Sequence, residues 1–485
     1  VLVLEPTLQA IATDQRTESA RQFADLAARF LQDSVAGDRP VTTALDAEAL
    51  YRLLPEAMPV DGAPLETVLD EVKRVILDHS IRLSHPMALG HQVSAPLPAS
   101  VWSDMLVSVV NNSIAVREMS PAGTAIETRL IRWMCDMAGL PDGSGGTFTY
   151  GGTEATFTAL LAARAACRPD AWQDGVGDNP PVVVCGEHAH YAVTRAAGEL
   201  GIGLRNVVMV PSREYRMDVD ALVRALDRLK EDGRDVMAVV ATAGSTATGS
   251  FDDLETIGAL CIQRGVWFHV DGAHGASALL SPTRRAMVSG LHHASSIAWD
   301  PHKMLLLPLA AGMLLVRDET TLARAFAQRA PYLFHESDGA REWDQGPRSF
   351  ACSRRFDALK LWVALRRHGA GGLGALYDHL CDLANRLAAG LRAHPAFIVL
   401  HEPESNILCF RWRGDGSMAE AELDRFNRRL RERYNASGAG WITTTVLGGR
   451  QVLRVTIMNP RTTPAHLDAL VAGLAKEAMA LSAPA

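Results

Sequence analysis

One feature constrains the fold more than any other, and it is an alternation. Short apolar runs rich in β-branched residues, at 182–184, 206–210, 236–242, 266–270 and 296–299, are separated by helical patterns at 153–166, 191–200, 219–230 and 254–264. A strand that is apolar on both faces needs cover on both, so the succession predicts a mostly parallel sheet inside an α/β domain. Residues 311–317 read as one further strand. In such sheets ligands bind outside the carboxyl ends of the strands. Two of those ends carry charge: the run 266–270 stops at Asp271, and the run 296–299 leads into Asp300-Pro301-His302-Lys303.

The flanks differ in character. Residues from about 14 to 33 place Phe23, Leu26, Phe30 and Leu31 on one helical face. A segment rich in Pro, Asp and Gly (36–64) then leads to a second helix at 65–77. Such a flap has little core of its own and must bury its apolar face against another domain or a second subunit. A polar segment, 334–355, precedes a long helix starting near Phe356. Strands at 396–400, 407–412 and 452–458, with helices at 419–434 and 463–480, form a small α+β domain. The expected division is an N-terminal helical dimerisation segment (1–84), a large domain (85–370) and a small C-terminal domain (371–485), since 485 residues exceed one ordinary core.

Bulk properties exclude several classes. A net charge of -7 argues against nucleic acid or an anionic membrane as partner. The apolar run 304–311 is far too short to cross a bilayer. Seven scattered cysteines without C-x-x-C spacing suit a reducing compartment, and the N-terminus shows no basic region of a secretory signal. The expectation is a cytoplasmic protein.

An acid and a lysine at two strand ends are what pyridoxal phosphate (PLP) requires. The lysine supplies an amine for a Schiff base, and the acid keeps the pyridine nitrogen protonated. Other segments join them. Tyr150-Gly151-Gly152-Thr153-Glu154-Ala155 opens a helix, where free N–H groups and the helix dipole favour an anion; an ordinary helix start capped by Thr153 has the same residues. His188 and His190 follow the strand 182–184 and either stack on a planar ligand or cap a helix. No third ligand completes a metal site there, His292 and His293 read as a solvated pair, and no metal is expected. Gly244-Ser245-Thr246 follows the strand 236–242, and Gly372-x-Gly374 reads as a chance match in a helix-connecting loop.

Taken together, Gly151-Gly152-Thr153-Glu154-Ala155, Ala189-His190, Gly244-Ser245-Thr246, His269-Val270-Asp271, Asp300-Pro301-His302-Lys303 and Arg454-Val455-Thr456 resemble the group II PLP-dependent amino-acid decarboxylases. That family includes the aromatic-amino-acid, glutamate, cysteine-sulfinate and 2,4-diaminobutyrate enzymes, and the resemblance runs from about residue 65 to the C-terminus. It implies fold type I (aspartate aminotransferase-like) and release of an amine and CO2, while the homodimer is expected from the apolar face of the N-terminal flap. On these residues it implies a Schiff base at Lys303, Asp271 on the pyridinium nitrogen, and His190 and Ala273 on the two ring faces. Gly151, Gly152, Thr153 and His302 would hold the phosphate, Thr246 would lie beside the ring, and Arg454 would meet the substrate α-carboxylate. Tyr332 would return a proton to the substrate carbon after CO2 leaves. Members that make aldehydes tend to carry Phe there, so the tyrosine favours amine. Tyr150, Gly272 and His274 depart from the family pattern, His274 being a candidate substrate contact or a partly buried turn residue. The substrate pocket is expected from 83–92, Trp102, Met119 and a second subunit. The rival readings are an aldehyde synthase, another PLP lyase or aminotransferase, and a non-catalytic PLP-binding protein.

Overall fold

The structure is a computed structural model that describes residues 16–43, 45–326 and 343–482. Helix α1 (Arg16–Ala36) and the shorter α2 (Leu65–Glu71) form the N-terminal flap. Phe23 on α1 is 47% exposed, so the apolar face read from the sequence is only partly covered within one chain. Arg82 lies over the Phe30 ring at 4.8 Å and donates to Ser34 Oγ at 3.2 Å, tying the end of α1 to the chain that enters the main body.

Helices α3 (Pro98–Val110) and α4 (Pro121–Ala138) precede the large sheet. Its strands are β1 (Gly145–Thr149), β2 (Val182–Gly186), β3 (Val207–Val210), β4 (Val236–Thr242), β5 (Trp267–Asp271), β6 (Ser296–Trp299) and β7 (Gly312–Val316). They lie in the order β1-β7-β6-β5-β4-β2-β3. Only β7 runs against its neighbours, pairing antiparallel with both β6 and β1. Helices α5 (Gly152–Cys167), α6 (Ala192–Glu199), α7 (Val219–Glu231) and α8 (Leu254–Arg264) make the crossovers. Every residue of β1, β2, β6 and β7 is buried, as expected of strands covered on both faces. Asp218 and Asp253 cap α7 and α8 by accepting the N–H groups of Ala221 and Thr256.

After α9 (Thr320–Phe326), the long α10 (Ala358–Ala393) joins the large sheet to a second one. That sheet comprises β8 (Phe397–Val399), β9 (Ile407–Trp412), β10 (Thr443–Leu447) and β11 (Arg450–Thr456), all antiparallel in the order β8-β9-β11-β10, with α11 (Glu420–Ala436) and α12 (Pro464–Ser482). Gly372 and Gly374 correct the sequence reading: they lie inside α10, not in a connecting loop. The helix breaks instead at Gly369, where φ is 68°. Gly374 is needed for contact, because a Cβ there would stand 2.1 Å from the Leu280 carbonyl oxygen.

The segment before α3 belongs with the second sheet in its bonding. Leu89 N–H donates to the Trp441 carbonyl, Thr456 N–H to the Leu89 carbonyl, and Ala95 N–H to the Met458 carbonyl. It therefore forms a wall between the two sheets. No described helix is long and apolar enough to cross a membrane.

Candidate active site

The carboxyl ends of β1, β2, β4, β5 and β6 open on one cavity of about 1080 Å³. Of the residues expected from sequence, Gly151, Gly152, Thr153, His190, Thr246, Asp271, Ala273, His302 and Lys303 all line it. The topology explains the meeting. Parallel strands place their carboxyl ends on one edge, so residues more than 150 positions apart converge there.

Asp271 ends β5 at 8% exposure, and its Oδ1 accepts the Ala273 N–H at 3.2 Å. A carboxylate this far from water is costly unless a cation or donor meets it. His190 leaves β2 and turns into α6, with its Nδ1 accepting the Ala192 N–H at 3.3 Å. Burial holds the His190 imidazole below its usual range, against the opposing pull of Asp271. A neutral ring suits stacking on a planar ligand.

At the start of α5, glycines keep the backbone bare. A Cβ on Gly152 would stand 2.8 Å from the Ala273 methyl, and one on Gly151 3.2 Å from the His302 ring. Gly151 also has φ 157°, at the limit of what an L side chain tolerates. The helix is capped by this glycine without a side-chain bond, so Thr153 sits inside the first turn and does not cap. His302 Nδ1 accepts the Ala311 N–H at 3.1 Å. Its neutral form therefore carries the proton on Nε2, and burial disfavours the charged form.

Lys303 Nζ lies 3.3 Å from Asp300 Oδ2, and the same oxygen accepts the Gly152 N–H at 2.9 Å. Asp300 was visible in the sequence only as part of the lysine motif. Its position three residues before Lys303 was the one available signal of a role.

Arg454 on β11 does not itself line the cavity among the described residues. Buried to 6% exposure, it donates from Nη1 to the Thr246 carbonyl at 2.7 Å, while its Nε has no partner. His274 is buried to 2% rather than partly exposed. Its Nε2 meets Asn406 Oδ1 at 2.7 Å, and the Asn406 amide donates to the Ile457 carbonyl. Burial pushes His274 down to about 3, so it is neutral with the proton on Nε2.

The expected pocket needs correction. Of 83–92, only His91 and Gln92 reach the cavity, and neither Trp102 nor Met119 lines it. Trp102 sits on α3, which is tied to α10 by a hydrogen bond from Ser100 Oγ to the Lys360 carbonyl. The wall is completed by Glu154, which the sequence marked only as part of the glycine motif, and by Phe157, Leu309 and Phe350, which sequence reasoning missed. Nothing local marks them, since they come from a helix face and two loops. Tyr332 lies outside the described residues.

These groups fit PLP. The bare, donor-rich turn at Gly151–Gly152 suits a phosphate, the buried Asp271 carboxylate needs a protonated partner, and an amine stands in the same cavity.

Comparison with known proteins agrees. Residues 47–413 match the model of the pyridoxal-dependent decarboxylase conserved domain. The chain is 32% identical over 463 residues to L-2,4-diaminobutyrate decarboxylase of Rhizobium meliloti (strain 1021), covering 94% of this chain and 91% of that protein. It is 30% identical over 443 residues to cysteine sulfinic acid decarboxylase of Mus musculus, covering 88% and 89%. The crystal structure of that mouse enzyme superimposes with a TM-score of 0.90 at 28% identity, covering 96% of this chain and 99% of the other. The chain belongs to the pyridoxal-dependent decarboxylase family, as a PLP-dependent amino-acid carboxy-lyase of fold type I.

Proposed function

We propose that the chain converts an L-amino acid to its amine and CO2, with Lys303 as the residue that carries the cofactor. The observation that supports this best is the convergence of Lys303, Asp271, His190 and the Gly151–Gly152 turn on one cavity. When bound, PLP supplies a protonated pyridine ring that accepts the electron pair of the broken Cα–CO2 bond. The chain's own residues do the rest. Asp271 holds the proton on the ring nitrogen, and His190 and Ala273 flatten the site from two sides. The backbone N–H groups at the start of α5, with Thr153 and His302, bind the phosphate. Arg454 stands behind the lining, donating to the carbonyl of Thr246, which does line the cavity, and is assigned from there to the substrate carboxylate. That contact orients the scissile bond, an effect of positioning. Tyr332 is assigned the return of a proton to the substrate carbon.

The relatives compared act on different amino acids, so the side-chain class rests on the wall. Phe157, Leu309 and Phe350 are apolar, and Glu154 and Glu199 are the acids that accompany them. A neutral or cationic side chain suits that lining better than an anionic one. Incubating the holoenzyme with L-2,4-diaminobutyrate, L-glutamate, L-cysteine sulfinate and aromatic amino acids tests both points. CO2 and amine in equal amounts are expected. Aldehyde with hydrogen peroxide, or amino transfer without CO2, would overturn the assignment.

A homodimer is part of the proposal. The uncovered face of α1 and the exposed Leu106, Val109 and Val110 of α3 are apolar surfaces that one chain leaves bare. A cytoplasmic location is proposed on the seven cysteines, all of them free thiols.

A further inference from the structure

We infer that the Asp300 carboxylate competes with the cofactor phosphate for the donors at the start of α5, and so weakens this chain's hold on its own cofactor. The inference rests on the reading of Lys303 as the carrier and goes beyond it.

Three donor groups lie around a single oxygen, one of them hydrogen-bonded to it. Asp300 Oδ2 accepts the Gly152 N–H at 2.9 Å, with Lys303 Nζ at 3.3 Å and His302 Nε2 at 3.5 Å. The residue is 1% exposed, so water does not share these contacts. Its other oxygen, Oδ1, is buried without a hydrogen-bond partner. The charge is thus compensated through Oδ2 alone, by the groups a phosphate at this turn would use.

The surrounding glycines leave room for the carboxylate. A Cβ on Gly312 would stand 2.7 Å from Oδ1, and one on Gly152 3.2 Å from Oδ2. The N-terminus of the 16-residue α5 carries about half a positive charge, enough to favour one anion there and not two. A phosphate dianion arriving at Gly151–Gly152 meets a fixed negative charge within a few ångströms, in a site poor in water. Like charges so placed repel strongly. Asp300 must give up its donors for the phosphate to take them. Asparagine has the same shape, keeps one acceptor for the Gly152 N–H and adds a donor toward the phosphate.

The test uses the full-length chain stripped of cofactor. Dissociation constants for inorganic phosphate, by calorimetry, and for PLP, by absorbance, are measured for wild type, Asp300→Asn and Asp300→Ala. Asp300→Asn is expected to bind both at least tenfold more tightly, and Asp300→Ala to bind phosphate more tightly than wild type. If Asp300 served only to position Lys303 and the helix start, both variants would bind more weakly; that result, or unchanged constants, overturns the inference. Borohydride labelling of the wild type reports on the carrier separately. A label away from Lys303 would refute the cofactor assignment, while the phosphate constants would still decide the competition.

Discussion

Glu127 and Arg354 form a clamp whose removal has a calculable effect. Glu127 on α4 is fully buried and Arg354 is 3% exposed. The guanidinium grips both carboxylate oxygens, at 2.6 Å from Nη2 to Oε1 and 2.9 Å from Nη1 to Oε2. Oε1 also accepts the Phe148 N–H at 3.3 Å. Because β1 is an edge strand, that N–H has no ladder partner, and β1 leads directly into Tyr150-Gly151-Gly152. Glu127→Met leaves a buried guanidinium without this counter-charge, costing about 3–5 kcal/mol, and Arg354→Met leaves the buried carboxylate in the same position. Glu127→Met also strands the Phe148 N–H, costing about 1–3 kcal/mol more. Either loss is large beside a net stability of about 5–15 kcal/mol. Replacing both partners with methionine removes charge and counter-charge together and should recover most of the loss. Thermal and urea unfolding of the four holoenzymes, followed by circular dichroism and cofactor absorbance, gives the double-mutant cycle. A coupling of at least about 2 kcal/mol is expected. Single variants costing under about 1 kcal/mol, or a double variant as damaged as the sum of the singles, would refute the clamp.

The remaining predictions concern chemistry, pH and assembly. Asp271→Asn keeps the shape and removes the charge, so decarboxylation should fall at least about a hundredfold with protein stability little changed; activity within a few-fold of wild type would contradict the assigned role. Stability should fall on acidification below about pH 6.5. Burial holds His274 down to about 3 and His269 down to about 4, so the unfolded chain binds protons that the folded chain refuses. Between pH 6.5 and 4 the two withdraw about 5 kcal/mol, while Asp252, pushed up to about 6 by burial, has the opposite sign and offsets about 2 kcal/mol. A double variant lacking both imidazoles should show a visibly shallower acid limb, and an unchanged limb would count against this account. Sedimentation should find a stable dimer, and an active monomer at micromolar concentration would exclude one.

The parts of the site that were legible in the sequence share a cause. Asp271 and Lys303 each interrupt or follow an apolar run, so the strand end and the charge that marks it are read together. His190 announces itself in the same way, after β2, whereas Gly151-Gly152 was read from the helix it opens, and the glycine-containing β1 before it was not recognised as a strand. The strand β10 was missed because Thr443-Thr444-Thr445 shows no apolar alternation, its register being set by pairing with β11. A connecting loop was read at Gly372-x-Gly374, since glycine marks turns, but α10 breaks at Gly369 instead, and Gly374 is required within the helix by the close approach of Leu280. Contacts such as Glu127–Arg354, 227 residues apart, and the grouping of three donors on Asp300 depend on the folded chain and leave no local pattern. The same holds for the wall residues Phe157 and Phe350.

The central claim, that Lys303 carries the cofactor, is tested most directly by trapping it. Holoenzyme reduced with borohydride, digested and mapped by mass spectrometry should carry one pyridoxyl group per chain, on the peptide containing Asp300-Pro301-His302-Lys303, and Lys303→Ala should carry none. A pyridoxyl group on any other lysine, or its persistence in the Lys303→Ala variant, would contradict the account.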